Sequence, residues 1–206
     1  MIQTGYSFSN AVISPLENKL PAIHESSKNI AVWQRDTSSL QALVEQLKNQ
    51  SIECRATGTK AEILATLHEY VQNDLPQASA LYEDISTLLD LFADLTEASS
   101  FRLLLTTVNS DMCRKFHTDV NDLRMLCTYT GPGTLWLPDE AILQARGRDL
   151  KIDESKIQQV ATGDVVVLKG ALYPQATPIL HRSPAIEEAG ATRIVLRIDT
   201  NEFLNF

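Results

Sequence analysis

His117 and Asp119 stand one residue apart in CRKFHTD, residues 113–119. In an extended segment, side chains two positions apart point to the same side, so this imidazole and carboxylate can converge on one point. His181 closes the segment TPILH further along the chain. Two histidines and one carboxylate, with other positions left open, form the facial ligand set of non-haem Fe(II) oxygenases. The open positions let a co-substrate and oxygen reach the same ion. The bland reading is that Asp119 caps a turn and His181 ends a strand, hydrogen-bonded and inert. Cys113, four residues before His117, offers another chemistry. As a soft fourth ligand it would favour zinc, although no Cys-x-x-Cys pair supports a closed site. Cys127, inside an apolar run, reads as a small buried residue.

These groups need elements to hold them. TSSLQALVEQLKNQ places Leu40, Leu43, Val44 and Leu47 at helical spacing. KAEILATLHEYVQNDL and ASALYEDISTLLDLFADLTEAS repeat the pattern, with Pro76 between them. From about residue 100 the texture changes. FRLLLTTVN, LRMLCTYT, TLWLP, DVVVLKG, TPILH and TRIVLRIDT are short apolar runs, many of them rich in β-branched residues. Turn signals such as Gly131-Pro132-Gly133 and Gly163-Asp164 separate them. They predict an antiparallel sandwich or barrel, with the helices over one face. The expected organisation is a helical N-terminal layer over 1–99 and a β core over 100–206, joined as one α+β unit because neither half closes its own core.

The bulk composition narrows the function. The chain has 206 residues, 44% of them apolar, and a formal net charge of −8. That charge argues against non-specific nucleic-acid binding, which rests on Lys and Arg neutralising phosphates. No long apolar run predicts a membrane span, and the N-terminus does not read as a secretory signal. Three cysteines without close pairs make a poor disulfide framework, so a reducing, cytoplasmic setting is expected. Phosphate-binding glycine loops and a Gly-x-Ser-x-Gly elbow are absent, which leaves kinase and hydrolase readings without support.

The order of segments resembles that of the Fe(II)/2-oxoglutarate-dependent oxygenases, particularly the prolyl-hydroxylase type. The resemblance rests on His117-Thr-Asp119, then LRMLCTY, then Gly131-Pro-Gly-Thr-Leu-Trp136, then Gly163-Asp164-VVVL, then His181, then Arg193. It implies a double-stranded β-helix, or jelly roll, in the C-terminal half. His117, Asp119 and His181 would hold Fe(II), and Arg193 would bind the distal carboxylate of 2-oxoglutarate. Arg197 shares a strand face with Arg193 and is the reserve for that role. Tyr129 would assist 2-oxoglutarate binding. The pattern departs from the hydroxylases in having Gly-Pro-Gly-Thr where they prefer Gly-Gly-x-Thr, and Arg where they carry Lys.

The stretch from Arg102 to Asp199, with CRKFHTD, LRMLCTYTGPGTLWLPDEA, GDVVVLKG and LHRSP, also resembles the bacterial family called domain of unknown function 1826. That resemblance carries an association with zinc supply, and so implies zinc as the alternative metal and zinc homeostasis as the alternative role. The expected partner is a small-molecule or protein substrate, and neither nucleic acid nor membrane. Segments 138–162 and 170–178 are expected to frame the pocket mouth.

Overall fold

The structure, a computed structural model, describes residues 8–201 apart from 48, 77, 147 and 148. The N-terminal part runs β1 (Ala11–Ser14), a 3-10 stretch (Glu17–His24), β2 (Ile30–Trp33), α1 (Gln41–Leu47), β3 (Glu53–Gly58), α2 (Lys60–Asp74) and α3 (Ser79–Thr96). Then follow β4 (Phe101–Val108), β5 (Leu123–Thr130), β6 (Leu135–Trp136), β7 (Ile142–Arg146), β8 (Asp149–Ile152), β9 (Gln158–Gln159), β10 (Val165–Lys169), β11 (His181–Arg182) and β12 (Arg193–Thr200).

A seven-stranded sheet in the order β1-β2-β10-β5-β12-β4-β3 is the centre of this mixed α/β architecture. Its pairs are antiparallel except β1 with β2. Side chains alternate across a strand, so each strand feeds two layers. Leu103 and Leu105 of β4, Met125 and Cys127 of β5, and Ile194, Leu196 and Ile198 of β12 join one core with Ile63 and Leu67 of α2 and Leu81, Ile85 and Phe92 of α3. Leu126, Val166 and Leu168 face the other way and pack with Trp136, Val160 and Ile179. Trp136 belongs to β6, the middle strand of a small sheet ordered β11-β6-β9. All of β10 is buried because it is covered on both faces, which is why VVVL shows no alternation.

The helix starts obey local chemistry. Thr59 caps α2 by accepting from the Glu62 amide, while Glu62 accepts from the Thr59 amide. Pro76 falls between α2 and α3, as expected.

The region 1–99 departs from the expectation of a helical layer, because β1, β2 and β3 supply three of the seven strands of the main sheet. IAVW is four residues long and nearly all buried, so periodicity cannot separate it from a helix turn. ECRATG does alternate, but its inward residues, Cys54 and Ala56, are small and give little hydrophobic signal. The first expected helix contracts to the seven residues of α1, and TPILH contributes only its His181 to β11. The hairpin of β7 and β8 lies where a loop was expected.

Candidate metal centre

His117 lies in the connection between β4 and β5, and His181 begins β11. A single backbone bridge joins them: the His117 amide donates to the His181 carbonyl at 3.0 Å, and the reverse bond is also 3.0 Å. This pairing places the imidazole rings side by side, with centroids 4.7 Å apart. Asp119, two residues on, is fixed by its carbonyl, which accepts from the Ala171 amide at 2.8 Å. The result is a cluster in which one ligand atom from each of His117, Asp119 and His181 lies within 4.8 Å of the others. The Nε2 atom of His181 is 3.3 Å from Asp119 Oδ2, and that of His117 is 3.8 Å from Asp119 Oδ1.

The tautomers follow from the far side of each ring. Nδ1 of His117 faces the Lys115 carbonyl at 3.1 Å, and Nδ1 of His181 faces the Ile179 carbonyl at 3.3 Å. A carbonyl only accepts, so each Nδ1 carries a proton, and each Nε2 is turned toward Asp119. Backbone carbonyls in this position orient metal-binding histidines and raise their basicity. Burial alone would push the Asp119 carboxyl up. The His181 bond and the charges of Arg124, His181 and His117 outweigh it and hold the group below the usual carboxylate range. The His181 side chain is buried and that of Asp119 nearly so, while His117 is more than a third exposed, so the cluster opens to solvent on one side.

A cavity of about 140 Å³ adjoins the cluster, walled by His117, His181, Arg124, Leu126, Arg193 and Val195 among others. Arg193 is only 3% exposed. Its Nη2 donates to Thr128 Oγ1 at 3.3 Å, its Nε has no partner, and no carboxylate pairs with it among the described residues. Burial pushes this guanidinium down to about 10. Arg197 lines the same wall but is engaged, its Nε 3.1 Å from Asp199 Oδ2.

Tyr129 is a correction. On β5 the residues 124, 126 and 128 face the cavity side, so Tyr129 faces the helices, where its hydroxyl donates to Asp84 Oδ2 at 2.6 Å. It cannot touch a ligand of the cluster from there. Cys113 borders the cavity and is exposed, but the group at ligand distance contains no cysteine among the described residues. The soft fourth ligand that motivated zinc therefore finds no support. Cys127 is fully buried, as a small core residue would be, and burial pushes its thiol up to about 12. The segments expected at the pocket mouth do not border this cavity. Met112, Cys113 and Ser183 do so instead. Residues Tyr173–Ala176 line a separate, larger cleft of about 850 Å³ that holds none of the three clustered residues. Sequence reasoning missed Arg124 and Thr128. Arg124 carried a signal, as a lone charge inside the apolar run LRMLCTYT.

Residues 16–199 match the family described as "protein of unknown function (DUF1826)". The chain belongs to the DUF1826 family. No curated protein matches this DUF1826 chain. Among solved structures it is similar to a bsmA homologue from Methylobium petroleophilum, at 11% identity and a TM-score of 0.48, covering 97% of this chain and 98% of that one. A prolyl-4-hydroxylase from Pseudomonas putida gives 15% identity and a TM-score of 0.38 over 78% of this chain and 93% of that one. A full-length Neurospora crassa protein, solved in complex with alpha-KG, gives 13% identity and a TM-score of 0.43 over 90% of this chain and 78% of that one. No helix among the described residues is long and apolar enough to cross a membrane.

Proposed function

We propose that this DUF1826 protein is an Fe(II)/2-oxoglutarate-dependent dioxygenase built on a double-stranded β-helix core. The observation that carries the reading is Arg193. A guanidinium buried to 3% exposure, without a carboxylate partner among the described residues, is costly unless something anionic completes it. It shares its cavity with two imidazoles of the cluster. A small diacid with one end on the metal and the other on Arg193 satisfies both. Arg193 suits the role better than Arg197, whose charge already meets Asp199.

The donor set fits the ion. Two neutral imidazoles and one carboxylate hold a divalent metal and leave further positions open, as non-haem Fe(II) sites require. Such an ion, when bound, supplies oxygen activation coupled to decarboxylation of the keto acid. The chain supplies the rest. His117 and His181 present Nε2, with Nδ1 protons held on backbone carbonyls. Arg193, steadied by Thr128, would grip the distal carboxylate through two parallel hydrogen bonds. Leu126 and Val195 keep that wall apolar. The exposed edge of His117 leaves a side from which a substrate, small molecule or protein, would approach. We read the helices and both sheets as one unit, and the free thiols of Cys54, Cys113 and Cys127 suit a reducing cytoplasm.

The test is an anaerobic titration of the metal-free protein with Fe(II), then 2-oxoglutarate, watching for the visible charge-transfer band of a chelated keto acid. The band is expected in the parent, absent in His117→Ala and weakened in Arg193→Ala. No band in an iron-loaded parent would overturn the assignment.

A further inference from the structure

Arg124 enters from β5, and its guanidinium reaches in two directions. Forward, Nη1 lies 2.6 Å from Asp119 Oδ2. Backward, Nε donates to Asp199 Oδ1 at 2.6 Å and Nη2 to Oδ2 at 3.3 Å. Asp199 itself is immobilised: its side chain is 1% exposed, Asn121 Nδ2 donates to it at 3.0 Å, and Arg197 closes its other side. A fork held bidentately on a buried carboxylate has little freedom, so the remaining nitrogen is delivered to Asp119 at a fixed point. Asp119 Oδ2 therefore lies in ion-pair contact with the guanidinium, without hydrogen-bond geometry, and 3.3 Å from Nε2 of His181, while Oδ1 is 3.8 Å from Nε2 of His117.

We propose that Arg124, backed by Asp199, is a positioning residue that holds Asp119 as a one-oxygen ligand and so keeps a position on the metal free for a chelating keto acid. A carboxylate without such a partner can turn both oxygens to a divalent ion and occupy two of its positions. In an octahedral site that already holds two histidines, this leaves too few places for a two-point chelate and oxygen together. The inference rests on the metal-centre reading above. It differs from it in giving a role to a residue that is not itself a ligand of the ion.

The experiment loads Mn(II), alone, into the parent, Arg124→Met and Arg124→Lys. Water-proton relaxation counts the exchangeable waters on the bound ion, and chelator competition gives its affinity. With one-oxygen ligation the parent keeps about three waters of an octahedral shell. Arg124→Met is expected to drop to about two, with metal affinity held or raised and 2-oxoglutarate affinity of the loaded protein lowered at least tenfold. Arg124→Lys keeps a charge but cannot clasp both carboxylates, and should fall between. A residue with only a structural role would lower melting temperature and metal affinity together and leave the water count alone. Equal water counts in the parent and in the folded variants would overturn the proposal. A parent that takes up no Mn(II) at all would instead overturn the metal centre itself.

Discussion

At the residue scale, the cavity side of the sheet is a set of charges with unequal freedom. Arg124 and Arg197 are spent on Asp119 and Asp199, and Arg193 is not. Removing Arg193 should therefore weaken 2-oxoglutarate binding by roughly 10–100-fold, the worth of a charged hydrogen-bonded pair. Fe(II) or Mn(II) affinity should stay level, and calorimetry with each ligand separates the two effects. Asp164 offers a pH test away from the cluster. Burial pushes its carboxyl up to about 6, against the opposing pull of Arg35. A folded-state value above the unfolded one means that the fold favours the protonated acid. Its stabilising contribution is full below the unfolded value near 4 and is lost as pH rises through about 6. Asp164→Asn should thus raise the unfolding free energy at pH 8, by up to about 2–3 kcal/mol, and leave it little changed below pH 4. Urea melts at the two pH values decide it. The clustering of His117, Asp119 and His181 was legible because the residue types are rare and their order is informative. Arg124 was not singled out, because its partners Asp119 and Asp199 lie on separate segments of the chain.

At the element scale, the glycine turn after β5 is more than a reversal. Gly131 has φ +73°, and a Cβ there would sit 2.5 Å from the Thr192 carbonyl and 2.9 Å from Arg193 Cγ. The turn thus lies against the base of Arg193. Gly131→Ala should destabilise by about 1–3 kcal/mol through backbone strain and also weaken 2-oxoglutarate binding, which a simple turn would not do. Thermal melts and ligand titration of the same variant test both arms. Helix caps act only locally by contrast: Thr59→Ala should cost about 1 kcal/mol and leave ligand binding untouched. The amphipathic α2 and α3 were readable because their apolar stripes repeat over four or five turns. The short strands β1–β3 were not, since pairing with distant segments, rather than their own pattern, makes them strands.

At the scale of the whole molecule, a buried polar network ties helices to sheet. Asp84 of α3 takes two hydrogen bonds from Arg35, just after β2, and one from Tyr129 of β5. Asp84→Ala would leave Arg35 buried and unpaired, and should lower stability by about 3–5 kcal/mol, read as a loss in denaturation midpoint. Because β2 sits beside β10 and β3 beside β4, the two parts of the chain complete one sheet. Trp33 in β2 and Trp136 in β6 should therefore report a single unfolding transition that coincides with the loss of helical circular dichroism. The sequence carried the mixture of helices and a large sheet, but not the boundary. A division at residue 100 follows the change in texture, whereas the hydrogen bonds of the main sheet cross it.

The paired amides and carbonyls of His117 and His181 have a consequence for loading. The bridge ties the two histidine backbones together, with Asp119 two residues on, so the fold's own hydrogen bonds hold the three side chains close. Little chain entropy is left to be lost when an ion arrives, so uptake should be quick, and stripping the ion should leave the heat-capacity signature of unfolding nearly the same. A divalent ion held there as proposed would exchange readily, and its identity would be set by the supply around it as much as by the shape of the site.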